Sequence, residues 1–161
     1  MSRHTLIRGA LWGALALLLV VPPAATPQGP AKVQPKLEPV AETRLLMEGL
    51  THANFRGIER LLSQKPADVQ TWTFARGQAL LIAETGNLLM LRPPKSQGQA
   101  VWFDRAMELR GNAQQLAKTI ASQDYEKSKA GLIGLAATCN HCHQSFRVQV
   151  EIAAFADKTG E

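Results

Sequence analysis

Residues 129–147 read Lys-Ala-Gly-Leu-Ile-Gly-Leu-Ala-Ala-Thr-Cys-Asn-His-Cys-His-Gln-Ser-Phe-Arg. Apolar residues recur here at the three- and four-residue spacing of an amphipathic helix: Leu132, Leu135 and Ala136. The pattern predicts a helix that starts near Ser122 or Asp124, passes through the cysteines and continues to Phe155.

The only two cysteines of the 161-residue chain lie three positions apart, and a histidine follows the second: Cys139-Asn140-His141-Cys142-His143. On a helix, residues three and four positions apart share a face, so Cys139, Cys142 and His143 are predicted to face the same way. The spacing is the attachment signature of haem c. In such a motif the two cysteine thiols add across the two vinyl groups of the porphyrin, and the histidine imidazole reaches the iron. We therefore expect one covalent haem c, with His143 bound to the iron.

Three other interpretations of the motif stay open. A thioredoxin-like redox pair needs a βαβ context, whereas the periodicity here is helical. A structural zinc site needs four ligands, and His52 is the only remote histidine of the domain. A disulfide between Cys139 and Cys142 suits an oxidising compartment but leaves His143 without a role. The remaining histidine, His141, is expected to lie in solvent and to point away from the iron.

Three more segments show helical periodicity, and no alternating strand pattern is apparent in the sequence. They run from about Val40 to Ser63, from Ala67 or Asp68 to Pro93, and from about Gln99 to Ala121. Prolines, which lack the amide donor, separate the first three segments. Four helices joined by short loops predict an all-α fold, an antiparallel four-helix bundle.

The core faces of these three helices are predicted from the spacing of their small and apolar residues. On the first helix they are Leu46, Leu50, Ala53, Gly57 and Leu61. On the second they are Val69, Trp72, Ala75, Ala79 and Ile82. On the third they are Phe103, Ala106, Met107, Ala113, Leu116, Ala117 and Ile120.

The N-terminal segment, residues 1–26, has the pattern of a secretory signal peptide. Arg3 and Arg8 precede an uncharged apolar run at residues 10–21, and prolines and small residues follow it. The run is shorter than the roughly 20 apolar residues that span a bilayer. We expect export to the periplasm without stable membrane insertion, and an uncleaved N-terminal anchor remains the alternative.

Residues 27–39 are rich in Pro, Gln and Lys, which indicates a flexible leader. The domain is therefore assigned to residues 40–161. The formal net charge of the chain is +5, and its basic residues are scattered singly among acidic ones. Such a pattern lacks the clustered Lys and Arg of nucleic-acid binding, so no nucleic-acid partner is expected.

The place of the motif in the chain resembles the class II cytochromes c, the cytochrome c prime family, whose motif lies on the last helix of a four-helix bundle. Only 18 residues follow His143 and none is Met, whereas class I cytochromes carry the motif near the N-terminus with a Met ligand downstream. The resemblance covers most of the domain in helix order and is specific in sequence over residues 129–147.

The resemblance also implies two cofactor-binding arginines. Phe146 and Arg147 stand three and four positions after His143, where the family has an aromatic residue and an arginine that typically lies beside a haem propionate. Arg44, together with Asn54 and Phe55, looks similar to the family's first helix.

The sixth iron position departs from the family. Cytochrome c prime leaves it open under an apolar residue, and its low-spin relatives place a Met about four positions after the arginine. Here Glu48 stands four positions after Arg44, and Met47 is one position early, about 100° round the helix. Three arrangements stay open: Met47 as an iron ligand, an open iron lined by Leu46 or Leu50, and another ligand such as His52.

Two functions follow from these arrangements. A protein ligand in the sixth position suits electron transfer with redox partner proteins, which is the first expectation. An open position suits the binding of a diatomic gas, nitric oxide or carbon monoxide. The third alternative is a structural bundle that holds zinc or a disulfide and no haem.

No nucleophile–base arrangement is visible in the sequence, so the chain is not expected to be an enzyme. The resemblance leaves the formation of a homodimer open.

Overall fold

The computed structural model of the chain describes residues 36–95 and 97–155. The predicted signal peptide (1–26), most of the leader (27–39) and residues 156–161 lie outside the described residues. The first helix comprises the α-helical segment Thr43–Leu46, the π-helical turn Met47–His52 and the α-helical segment Ala53–Leu61. The second, third and fourth helices are Val69–Met90, Gln99–Ala121 and Tyr125–Ser145. No strand occurs in these two described ranges.

The second and fourth helices begin at aspartates, as their sequences predict. The carboxylate of Asp68 accepts a hydrogen bond from the backbone N–H of Thr71 at 2.7 Å, and Asp124 accepts one from Lys127 at 3.1 Å. These bonds satisfy amides that have no partner within the helix, and each cap contributes about 1 kcal/mol. The side-chain and backbone hydrogen bonds from Thr71 also lower the pKa of Asp68 below its usual value.

Consecutive helices run antiparallel, because residue numbers fall on one helix as they rise on the next. The paired residues are Leu89 with Trp102, Asn87 with Arg110, Thr138 with Asn112, and Gly131 with Leu116. The hydroxyl of Tyr125, at the start of the fourth helix, donates to the carbonyl of Leu62 at the end of the first. The chain is therefore an all-α, antiparallel four-helix bundle, as predicted.

The core contains most of the predicted positions of the second, third and fourth helices. Buried among them are Trp72, Ala75, Ala79, Ile82, Ala106, Ala113, Leu116, Ala117, Ile120, Leu132, Leu135 and Ala136. Three predicted core residues do not lie in the core, since Val69 is 66% exposed, Met107 is 45% exposed and Phe103 is only half-buried. Val69 is the first residue of its helix, beyond the end of the packed face.

The predicted core face of the first helix is confirmed at Leu46 and Gly57, whereas Leu50 and Leu61 are only half-buried and pack against the edge of the core. Ala53 is exposed. The observed buried positions are Leu46, Thr51, Phe55, Ile58 and Leu62. The five-residue step from Leu46 to Thr51 coincides with the π turn, which holds one more residue per turn than a helix with period 3.6 allows. From this turn onward, the buried residues Thr51, Ile58 and Leu62 each lie one place after a predicted position, and Phe55 lies two places after the predicted Ala53.

The fourth helix is shorter than predicted, because it ends at Ser145 and does not continue to Phe155. Arg147 has a positive φ of 56°, which turns the chain out of the helix, and the amide of Val148 donates to the carbonyl of His143 at 2.8 Å. A left-handed residue of this kind closes many helices. Beyond it, residues 148–155 return along the bundle as an irregular segment.

We expect Gly86→Ala to destabilise the bundle. A Cβ atom there would lie 2.8 Å from both the Ala106 carbonyl oxygen and Cβ of Arg110, so the second and third helices would have to move apart. Forcing such an overlap costs about 1–3 kcal/mol, and urea unfolding would measure the loss.

Gly77→Ala is the matched control on the same helix. A Cβ atom at position 77 meets nothing within 4 Å, and Ala favours a helix over Gly by up to about 1 kcal/mol. Urea unfolding should therefore show a gain for Gly77→Ala, and equal stability of the two variants would contradict the close helix contact at Gly86.

Candidate functional site

A cavity of about 670 Å³ lies between the first, third and fourth helices and the segment 148–155. Five of the six predicted site residues line it: Arg44, Met47, Cys139, Cys142 and His143. The sixth, Arg147, is exposed and is not part of the lining. Helical spacing thus brings the two thiols and the imidazole to one cavity, whereas the turn at Arg147 directs that residue elsewhere.

The two cysteines are free thiols, and both are partly buried. Burial, together with the neighbouring Cys142 thiol, raises the pKa of Cys139 to about 11. Burial also raises the pKa of Cys142, although the charge of Arg105 acts in the opposite direction. At neutral pH both sulfur atoms therefore carry their protons, and neither is activated as a thiolate nucleophile.

The imidazole of His143 is oriented by the returning segment. Its Nδ1 lies 2.7 Å from the backbone oxygen of Val150. A carbonyl oxygen only accepts hydrogen bonds, so Nδ1 must carry the proton. In the neutral ring, Nε2 then keeps a free lone pair. Nε2 is therefore the atom of His143 that can bind a metal.

Asn140, the first residue between the two cysteines, fastens this segment to the fourth helix. Its Nδ2 donates to the carbonyl of Ile152 at 2.8 Å, and its Oδ1 accepts from the amide of the same residue at 2.8 Å. Val148, Val150 and Ile152 form one wall of the cavity. The segment therefore supplies both a wall and the acceptor for His143.

The first helix lines the opposite side of the cavity with residues four positions apart. They are Thr43, Met47, Thr51 and Phe55. Neither Leu46 nor Leu50, the apolar residues considered for an open iron, is part of the lining. Glu48 and Arg44 are at the exposed rim, where the Arg44 guanidinium donates to the Glu48 carboxylate at 2.8 Å. Glu48 is thus held by Arg44.

His52 also lines the cavity, but its Nε2 already accepts a hydrogen bond from Arg56 at 3.2 Å. Within the described residues, Met47 is the one methionine in the lining. Met90 packs against the core, and Met107 lies at the surface. Of the two side chains that the sequence offered as sixth ligands, Met47 is the one without a competing partner.

Two buried polar atoms at this cavity have no hydrogen-bond partner among the described residues: Thr51 Oγ1 and Arg105 Nε. Both residues line the cavity. Buried polar groups are nearly always paired, so these atoms point to a polar group that the cavity would receive.

Sequence reasoning missed Arg105 and Thr51. A signal for Arg105 was available, since it shares a stripe with Trp102 and Leu109, three and four positions away, and both line the cavity. Thr51 carried no such signal, because its inward position depends on the π turn. The Nη1 atom of Arg105 contacts Glu108 and His141, and His141 lies outside the cavity lining.

We expect Cys139 to be alkylated slowly in the folded, haem-free chain. The reactive species is the thiolate, so the rate with iodoacetamide should rise with pH towards a midpoint of about 11. Tandem mass spectrometry would follow each cysteine separately. Unfolding in urea is the control and should return the midpoint to about 9, the ordinary value. A midpoint at 9 in the folded chain would contradict the burial of this thiol.

Comparisons of the chain with protein-family models, curated proteins and solved structures find no match. In the described part of the chain, no helix is long and apolar enough to cross a membrane. Residues 36–95 and 97–155 also bring together no group of three or more His, Cys, Asp and Glu side chains able to hold a metal ion. A functional assignment therefore depends on the motif and on the cavity that it faces.

Proposed function

We propose that the chain attaches one haem c through Cys139 and Cys142, binds its iron through His143, and transfers electrons. The observation that carries this proposal is the placement of all three residues on one cavity, with Nδ1 of His143 bonded to the carbonyl of Val150. Each thiol S–H would add across one vinyl group of the haem, so that an S–C bond forms and the hydrogen goes to the neighbouring carbon. The attachment needs no external oxidant.

The cavity suits a large apolar cofactor with an acidic edge. Its volume of about 670 Å³ falls within the range of about 300–1,000 Å³ that is usual for ligand sites. Apolar residues form much of the wall, among them Phe55, Leu89 and Leu109. The unpartnered Nε of Arg105 supplies a donor for a carboxylate, such as a haem propionate.

Arg44 at the rim is the second candidate for a propionate, while Arg147 stays a prediction from the resemblance alone. Arg44 is bound to Glu48, so a propionate would have to share its donors with that carboxylate. Arg105 is partly buried, and a charged hydrogen bond is stronger where water is excluded. We therefore favour Arg105, which the sequence did not suggest.

Electron transfer is favoured over gas binding by the position of Met47. Met47 lines the side of the cavity formed by the first helix, and neither apolar residue considered for an open iron, Leu46 or Leu50, does so. If His143 and Met47 both held the iron, its coordination would be the same in both oxidation states. The reorganisation on electron transfer is then small, which suits exchange with a redox partner protein.

The predicted signal peptide supports a periplasmic location, because haem c is attached outside the bacterial cytoplasm. This part of the proposal comes from the sequence of residues 1–26 alone. An N-terminal anchor that is not removed would place the same domain at the outer face of the inner membrane.

Covalent attachment is tested by producing the chain together with the haem c maturation machinery. Acid–acetone extraction should leave the haem on the protein, because thioether bonds survive the treatment. The double variant Cys139→Ser, Cys142→Ser should lose all of it. A wild-type chain without retained haem would exclude the cytochrome proposal. A structural bundle with a zinc site or a disulfide at the two cysteines would then be the remaining alternative.

The sixth ligand is tested by Met47→Leu. We expect the low-spin absorption spectrum of the wild type to become high spin, and carbon monoxide to bind the reduced variant much faster. Met107→Leu is the control, since Met107 is 45% exposed and lies outside the lining. If the wild-type protein is already high spin and binds carbon monoxide at once, the function is gas binding and Met47 is not a ligand.

A further inference from the structure

We propose that residues 148–155 form a clasp that holds the His143 imidazole in place, and that Asn140 is the positioning residue that closes it. This inference rests on the proposed function, since it gives the clasp the task of setting the electron density that His143 offers to the iron. Asn140 is neither a thioether residue nor an iron ligand, and the attachment chemistry leaves its identity free.

The first support is the complete pairing of the Asn140 side chain. Its amide donates to the carbonyl of Ile152 and accepts from the N–H of Ile152, both at 2.8 Å. A carboxamide has the donor and the acceptor that this double contact needs, whereas a carboxylate or a hydroxyl does not offer both in that geometry. Both bonds are partly buried, and water competes with them less than at the surface.

The far end of the clasp is fixed to the first helix. The Arg56 guanidinium donates to the carbonyl of Ala153 at 2.9 Å, and the amide of Phe155 donates to the Glu59 carboxylate. Arg56 and Glu59 also bind each other at 2.8 Å. Residues 152–155 are therefore held by two helices.

Val150 lies two residues before the anchor at Ile152, so the anchor determines where its carbonyl stands. That carbonyl is 2.7 Å from Nδ1 of His143, and the bond is exposed. A cleft of about 350 Å³ beside it is lined by Asn140, His143 and Val150. Water can reach the bond, and a loosened clasp would exchange the Val150 carbonyl for mobile water.

A fixed acceptor on Nδ1 makes the imidazole a stronger base at Nε2. Greater basicity favours ferric over ferrous iron, because the oxidised ion carries more positive charge. The clasp therefore lowers the reduction potential. Its loss is expected to raise the potential and to weaken the iron–histidine bond.

The test compares wild-type holoprotein with Asn140→Ala. We expect a three- to tenfold shift of the ferric–ferrous equilibrium towards ferrous, about 30–60 mV for a one-electron couple, which is the size of effect a lost hydrogen bond gives. We also expect a lower iron–histidine stretching frequency in the resonance Raman spectrum of the reduced protein after photolysis of carbon monoxide. This frequency reports the bond to His143 and does not follow global stability.

Ile152→Pro attacks the same contact from the other side. It removes the N–H that donates to Asn140 Oδ1 and leaves the cysteine motif unchanged. This variant therefore still tests the clasp if Asn140→Ala fails to attach haem. It should shift the potential and the frequency in the same directions. Asn87→Ala is the control: it removes two hydrogen bonds, with Glu84 and Arg110, away from the cavity.

Asn87→Ala should lower stability and leave both spectroscopic values unchanged. Wild-type frequency and potential in both clasp variants would overturn the clasp while leaving the cytochrome proposal intact. Equal shifts in all three variants would also overturn it, because they would show a general effect of lost stability. A wild-type chain that retains no haem contradicts the proposed function first, before any variant is compared.

Discussion

The cavity between the first, third and fourth helices determines how the bundle packs around its centre. A protein interior is close-packed, so packing alone does not account for a cavity of this size within a small bundle. This bundle nevertheless leaves about 670 Å³ between its helices, with two unpartnered polar atoms, Thr51 Oγ1 and Arg105 Nε, at the wall. A covalently attached cofactor would fill the volume and satisfy such atoms, so its attachment would also complete the core.

Local sequence signals predicted most of the bundle. Asp68 and Asp124 cap helices where an aspartate stands before a periodic run, and the third helix has the predicted bounds, Gln99–Ala121. The end of the fourth helix was missed, because Ser145 is followed by no glycine or proline that would mark a stop. The left-handed turn at Arg147 is stabilised by contacts of residues 148–155 with the first and fourth helices, which no local pattern reveals.

The candidate site, like the fold, could be predicted from the sequence only in part. Cys139, Cys142 and His143 could be placed on one face from their spacing alone, since all three belong to one regular helix. Asn140 and Val150 could not be assigned roles, because their contacts join the helix to an irregular segment 7 to 12 positions along the chain. Periodicity describes regular elements, and the groups that orient His143 lie where regularity ends.

The π turn in the first helix indicates that the side of the cavity opposite His143 has a functional role of its own. In a regular α-helix each step of four residues rotates by about 40°, so Met47, Thr51 and Phe55 would spread over about 80° of the surface. All three line one cavity, and the wide turn Met47–His52 covers the step from Met47 to Thr51, where it reduces that spread. Such turns are rare and occur frequently at functional sites. If the cavity holds the proposed haem, a plain apolar plug on this side would not require such a turn, whereas a specific role for Met47 or Thr51 would give the turn a purpose.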